Sequence, residues 1–127
     1  MCHDISNKIK HIAKMFKVTV CRDIENCDNN TAFCAGNEIF IGKFDDSEIE
    51  LAAFFHELGH YVMVSTVLCG RPHTMSKLSC EGTAWEVGFS IAHQYGYTWG
   101  YDHKVMKWAR KQFSSYWNSE YNDLLVE

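Results

Sequence analysis

The chain has 127 residues and a mass of 14.7 kDa, which is the size of a single domain. Hydrophobic residues make up 46% and charged residues 22% of the sequence, a balance typical of a folded protein and not of a disordered one. The formal net charge of -4 argues against nucleic acid as a main partner, because binding to phosphates usually requires a basic face. We therefore expect one globular domain spanning residues 1–127.

The N-terminus has no apolar segment of the kind that forms a signal peptide. The longest stretch of low charge, Leu58 to Gly70, is too short to cross a bilayer. We therefore expect a cytoplasmic protein without a membrane partner, whose cysteines are mostly free thiols because the cytosol is reducing. The even number of cysteines also allows a disulfide, for example Cys21–Cys34 or Cys69–Cys80.

The first half of the chain predicts one helix followed by a small sheet. Apolar residues recur at helical spacing over residues 5–16, which predicts an amphipathic helix. Apolar and polar residues alternate over 18–24, which predicts a strand. Turn-forming residues at 27–30 and a hairpin around Gly36 follow. Residues 17–42 are therefore predicted to form a three-stranded antiparallel sheet.

The second half of the chain predicts three helices. Ser47 and Glu50 have the spacing of a capping box, which predicts a helix from Ser47 to about residue 66. A loop is predicted at 69–76, which contains the only proline. Two more helices are predicted, near 79–95 and 102–118. The predicted fold class is α+β, with one helix, a small sheet and then three helices.

The second predicted helix contains the motif HExxH at residues 56–60. Residues four apart on a helix lie about 40° apart around its axis, so His56 and His60 can bind one ion from the same face. Two imidazoles and a carboxylate suit Zn²⁺ and leave a fourth position for water. Glu57 lies about 100° from His56 around the axis, where it can serve as the general base for that water and as the acid for the leaving amine. The simpler interpretation is a pair of surface histidines on an ordinary helix.

A catalytic zinc site needs a third protein ligand. A metzincin has a glycine and a histidine three and six residues after the motif, and this chain has neither. Glu81 and Glu86 lie on the next predicted helix about 140° apart, so only one of them can face the histidines. Glu81 is favoured, because Ala84 and Gly88 share its face and would allow the two helices to pack closely. Glu86 is the alternative and is otherwise a solvent-facing or supporting carboxylate.

The HELGH motif at residues 56–60, followed by EGTAW at residues 81–85, resembles the ImmA/IrrE-type metallopeptidases and the related small HExxH proteins of bacteriophages and mobile elements. The resemblance covers about residues 30–95. Two features depart from this family. Trp85 stands where the family often has asparagine, and the 127 residues leave no room for the DNA-binding helix-turn-helix that often accompanies the domain.

This resemblance implies a minimal zincin fold of the gluzincin type with zinc bound by His56, His60 and Glu81. Glu57 is then the catalytic base. The implied function is hydrolysis of a peptide bond in a protein or peptide substrate, in the cytosol of a bacterial host. The other interpretation is an inactive zincin-fold binding protein that engages a host protein, with a structural zinc. A fourth protein ligand that closes the zinc site would favour this second function.

Several further residues are candidates for supporting roles. His73 in the predicted loop could cover the site or serve as a ligand, and Cys80 could add a thiolate, although a solvated histidine and a buried thiol are the simpler interpretations. Zincins commonly use a tyrosine or histidine to stabilise the oxyanion. The sequence does not distinguish between the candidates Tyr97, Tyr101 and His103. The last predicted helix carries a basic stripe, which we interpret as a solvated face rather than a nucleic-acid surface.

Overall fold

The computed structural model describes residues 5–65 and 77–114. Within these residues the chain forms four helices and one three-stranded sheet, and the predicted α+β class is confirmed. The elements in chain order are α1 (Asn7–Met15), β1 (Thr19–Arg22), β2 (Ala32–Ala35), β3 (Glu38–Ile41), α2 (Ser47–Ser65), α3 (Lys77–Gln94) and α4 (104–114). The predicted loop at 69–76, with His73, lies outside the described residues.

The sheet is mixed, so the prediction of an antiparallel sheet is wrong. The central strand, β3, pairs antiparallel with β2 and parallel with β1. The predicted hairpin does form between β2 and β3, where Gly36 adopts a φ of 61° in the turn. A two-residue loop would have folded β2 back onto β1. Residues 23–31 instead contain successive turns held by side chains, such as the bond from Thr31 Oγ1 to the carbonyl of Asp28 (2.7 Å), and they carry β2 to the far edge.

The hydrophobic core lies between α1, the sheet and the central part of α2. The amphipathic face predicted for α1 is buried, and β3 alternates buried and partly exposed residues as a half-buried strand does. α2 is buried on all sides over residues 50–59, which makes it the central helix of the domain. The largest fully buried side chains are Ile9, Ile39, Ile41, Phe54, Phe55, Leu58 and Val105.

α2 begins at the predicted residue but with a different cap. The side chain of Asp46 accepts hydrogen bonds from the backbone N–H groups of Glu48 (2.9 Å) and Ile49 (3.1 Å), so Asp46 and not Ser47 caps the helix. Glu50, the other half of the predicted capping box, is buried and forms an ion pair with Arg22. The capping-box prediction is therefore wrong, because an aspartate one residue earlier supplies the acceptor.

α2 and α3 pack with their backbones in contact. A Cβ atom at Gly59 would lie 2.2 Å from the carbonyl oxygen of Ala84, and one at Gly88 would lie 2.5 Å from the carbonyl oxygen of Phe55. Only glycine fits at these two positions. The close packing predicted from Ala84 and Gly88 is confirmed, and it brings the HExxH motif on α2 opposite Glu81 on α3.

The cysteines differ in whether they form a disulfide bond. Cys21 is disulfide-bonded, as the even number of cysteines allows, whereas Cys27 and Cys34 are free thiols. Both example pairings, Cys21–Cys34 and Cys69–Cys80, are therefore wrong, because neither Cys34 nor Cys80 forms a disulfide. No helix within 5–65 or 77–114 has the length and apolar character needed to cross a membrane.

Candidate metal centre

Four ionisable side chains of the predicted site lie between α2 and α3. His56, Glu57 and Glu81 are at most 9% exposed, and His60 is partly buried. The four-residue spacing on α2 turns both imidazoles toward α3, as the helix period requires. Buried polar groups need partners, because each lost contact with water must be replaced. The distances between these four groups therefore indicate which partner, a proton or a metal ion, can satisfy them.

The side chains of His56, His60 and Glu81 are in mutual contact. His56 Nε2 lies 2.9 Å from Glu81 Oε1, His60 Nε2 lies 3.0 Å from Glu81 Oε2, and the two Nε2 atoms are 3.2 Å apart. In a tetrahedral zinc site with bonds of about 2.0–2.2 Å, neighbouring ligand atoms lie roughly 3.3–3.6 Å apart. The observed triangle of two Nε2 atoms and one carboxylate is a few tenths of an ångström tighter than this spacing, and its two N···O sides end on different oxygens of Glu81.

With Glu81 ionised, protons on the imidazoles do not satisfy all three contacts. If both Nε2 atoms carry a proton, each can donate to one oxygen of Glu81, but two donor atoms then lie only 3.2 Å apart. If one Nε2 atom lacks a proton, its lone pair faces a carboxylate oxygen that has only lone pairs to offer. A cation shared by His56, His60 and Glu81 satisfies every contact at once. The residues present therefore fit a zinc ion.

Glu57 lies beside the triangle and not in it. Its Oε2 atom is 4.0 Å from His56 Nε2. Single ligand atoms of His56, Glu57 and His60 lie within 4.8 Å of one another, so these three side chains are a second group that could hold a metal ion. Burial raises the pKa of Glu57 to about 8, with the charge of His60 opposing this rise and that of Glu81 adding to it. A carboxyl group whose pKa lies near neutrality can both accept and release a proton.

The three converging side chains shift one another's pKa. Burial alone would raise the pKa of Glu81, but its hydrogen bonds with both histidines and their charges outweigh burial and lower that pKa to about 2. Burial lowers the pKa of His56. Burial acts the same way on His60, but the hydrogen bond with Glu81 and the charges of Glu81 and Glu57 raise its pKa overall. Glu81 is therefore an ionised carboxylate at neutral pH, which is the form that binds metals.

Two openings in the protein surface lead to the site, one beside α4 and one beside β2. A cavity of about 130 Å³ lies toward α4, and a cleft of about 380 Å³ lies along β2. Glu57 and Ala32 line both, so the base is reached from either opening. β2 is an edge strand of the sheet in the described residues, and its outer backbone groups are not used in that sheet. The cavity is also lined by Trp85, Trp108 and Gln112, and the cleft by Phe33, Cys34 and His60.

Tyr97 and His103 make other contacts. The ring of Tyr97 packs against Phe55 with centroids 5.8 Å apart. His103 Nε2 lies 3.4 Å from the carboxylate of Glu48, and its Nδ1 accepts a hydrogen bond from the N–H of Val105 in the first turn of α4. Neither side chain lines the cavity or the cleft. The structure therefore does not bring these two candidates for the oxyanion donor to the histidines.

Glu86 and Tyr101 are also separate from the site. Glu86 is exposed and lines a groove between α3 and α4. Tyr101 is 74% exposed, with the guanidinium of Arg110 lying 3.9 Å from its ring centroid. Cys80 is partly buried and packs against a small cluster that contains Met63.

Trp85 is a residue of the site whose role is not evident from the sequence. In the sequence it stands out only as a departure from a family pattern, yet its indole stacks on the imidazole of His56 with ring centroids 4.0 Å apart. The available signal was its position four residues after Glu81, which places both on one face of α3. The contribution of β2 to the cleft had no local signal, because it depends on how the sheet packs against α2.

The thiol of Cys34 provides a test of the electrostatics of the cleft. Burial, together with the charge of Glu57, raises the pKa of Cys34 to about 11. Because the thiolate is the reactive form, we expect iodoacetamide at pH 8 to alkylate Cys34 roughly 100-fold more slowly than an ordinary thiol. Its rate should still rise about tenfold per pH unit between pH 9 and 10. Peptide mapping of native and urea-unfolded protein measures this rate, and a plateau near pH 9 in the native protein would contradict the prediction.

Comparison of the chain with protein-family models, curated proteins and solved structures finds no match. The resemblance to small metallopeptidases therefore depends on the two motifs themselves. The geometry of α2 and α3 is the basis for assigning a function.

Proposed function

We propose that this protein is a zinc-dependent peptidase in which His56, His60 and Glu81 bind the metal. The observation that carries the proposal is the triangle of two Nε2 atoms and one carboxylate with sides of 2.9–3.2 Å, next to a second buried carboxyl group. A structural zinc site needs only its ligands. A hydrolytic zinc site also requires a group that carries protons, and the second carboxyl group, Glu57, can serve as that group.

In this mechanism three of the side chains bind the metal and the fourth, Glu57, carries a proton. A bound zinc ion would supply the Lewis acidity that polarises a water molecule and the scissile carbonyl. Glu57 accepts the proton of the attacking water on its carboxylate and then delivers it to the leaving amine. Glu81 contacts each imidazole with one of its two oxygens and so keeps His56 and His60 together.

The two openings that Glu57 lines support an extended substrate. A peptide that lies along the outer edge of β2 can form backbone hydrogen bonds with that strand, as peptides do in β-strand addition. Its scissile bond would then lie next to Glu57, with the chain continuing from the cleft into the cavity. This arrangement supports a protein or peptide substrate rather than a small molecule enclosed in a pocket.

Metal analysis tests the zinc ligands. We expect the wild-type protein to retain one zinc ion per chain after dialysis, and the His60→Ala and Glu81→Gln variants to lose it, because two remaining ligands hold zinc weakly. Glu86→Gln is the matched control, since it makes the same change on an exposed side chain of the same helix. A wild-type protein without zinc, or zinc loss only in Glu86→Gln, would contradict the assignment.

Cleavage of a peptide library tests the activity separately. The zinc-loaded wild type, incubated with peptides from a bacterial proteome digest, should produce new termini that are absent after treatment with a chelator. Zinc retention without any cleavage would refute the peptidase and favour the alternative of a binding protein with a structural zinc.

A further inference from the structure

The indole of Trp85 is held firmly against the imidazole of His56. The two rings are 4.0 Å apart between centroids and inclined by 28°, and Trp85 is only 8% exposed. Phe89 stacks on the same indole at 5.4 Å, and Trp108 meets it edge-on at 5.5 Å. Because two further rings pack against it, the indole cannot rotate without displacing its neighbours. It therefore presents a fixed aromatic surface to His56.

His56 does not have the hydrogen bond that usually orients a metal-binding histidine. A ligating imidazole generally donates its second ring N–H to a carboxylate, a carbonyl or a water, which fixes the ring plane. The Nδ1 atom of His56 is buried and has no hydrogen-bond partner among residues 5–65 and 77–114. Rotation about the bond between Cβ and the ring would carry Nε2 away from Glu81 and bring a carbon in its place. Within the described residues, the ring contacts of His56 must therefore hold its plane.

We propose that Trp85 is a positioning residue of the metal centre, whose stacked indole fixes the imidazole of His56 in the plane that directs Nε2 at the metal. The inference rests on the proposed zinc site. Stacking between aromatic rings is favourable, and tilting the imidazole would break the contact. One face of α3 thus supplies both a ligand, Glu81, and the group that orients a ligand on α2.

Zinc affinity in three variants tests this role. We expect Trp85→Leu to bind zinc about 10–100-fold more weakly than the wild type in competition with a chelator, which is the usual cost of removing an orienting partner. Trp85→Phe keeps an aromatic face and should stay within about threefold of the wild type. Trp99→Leu is the matched control, because it removes a partly buried tryptophan that packs on Tyr97 and Phe89, and its zinc affinity should not change.

Cobalt spectra separate positioning from general packing. In Co²⁺-substituted protein, the visible d–d bands report the geometry of the ligands, so Trp85→Leu should alter them while Trp85→Phe and Trp99→Leu reproduce the wild-type spectrum. If Trp85→Leu does not fold, Trp85→Met replaces it, and Trp85→Phe should then bind zinc at least about tenfold more tightly than Trp85→Met. Equal zinc affinity and equal cobalt spectra in the aromatic and aliphatic variants would overturn this inference alone. Absence of zinc from the wild type would overturn the metal centre and this inference with it.

Discussion

The Glu57→Gln variant is expected to retain its zinc ion and to hydrolyse peptides roughly 10²–10⁴-fold more slowly than the wild type, which is the usual contribution of general acid–base catalysis. Glutamine has the size and shape of glutamate but cannot accept a proton at neutral pH. Glu57 lies outside the triangle of ligands, with Oε2 4.0 Å from His56 Nε2. The substitution therefore removes the proton carrier and leaves the three ligands in place.

The measurement is kcat/KM for a peptide identified as a substrate, together with zinc content for the same preparation. Glu86→Gln is again the control and should match the wild type in both. A Glu57→Gln variant that cleaves at more than about a tenth of the wild-type rate would show that the proton is carried by another group. Loss of zinc from Glu57→Gln would show that Glu57 is a ligand, and the roles of Glu57 and Glu81 would then have to be reassigned.

The parts of the site that lie on one helix could be predicted from the sequence. His56, Glu57 and His60 are related by the helix period alone, so their arrangement needed no knowledge of the rest of the fold. The contact between helices was predictable for a more specific reason. Ala84 and Gly88 mark the face of α3 that can approach another backbone, and Glu81 lies on that face, so small residues indicated which glutamate would meet the histidines.

The parts that depend on distant partners could not be predicted in the same way. The alternation of residues in β1 shows that it is a strand, but the same alternation suits parallel and antiparallel pairing. The cap of α2 was misplaced by one residue because Asp46 and Ser47 are both good N-cap residues. The stacking of Trp85 on His56 joins two helices. Its position four residues after Glu81 places Trp85 on the same face of α3, but no pattern within α3 specifies which residue of α2 it contacts. The disulfide of Cys21 likewise depends on which residues the fold brings near it.

The Gly59→Ala substitution is expected to lower the free energy of unfolding by about 2 kcal/mol, although alanine is the better helix former. The added Cβ would lie 2.2 Å from the carbonyl oxygen of Ala84 and 3.0 Å from the backbone nitrogen of Gly88. Backbone atoms cannot move aside as a flexible side chain can, so α3 must shift away from α2. Overpacking of this severity costs about 3 kcal/mol, against a gain in helix propensity of about 1 kcal/mol.

The same shift should reach the metal centre, since Gly59 precedes His60 and Ala84 follows Glu81 by one helical turn. Separating the helices at this point lengthens the 3.0 Å contact between His60 and Glu81, so zinc affinity should fall together with stability. Gly82→Ala is the matched control, because among the described residues its Cβ would approach the side chain of Phe113, at 3.3 Å, and no backbone atom. That variant should stay within about 1 kcal/mol of the wild type. Urea unfolding and chelator competition measure both quantities. A Gly59→Ala protein that loses stability but binds zinc as the wild type does would show that the spacing of the helices does not control the spacing of the ligands.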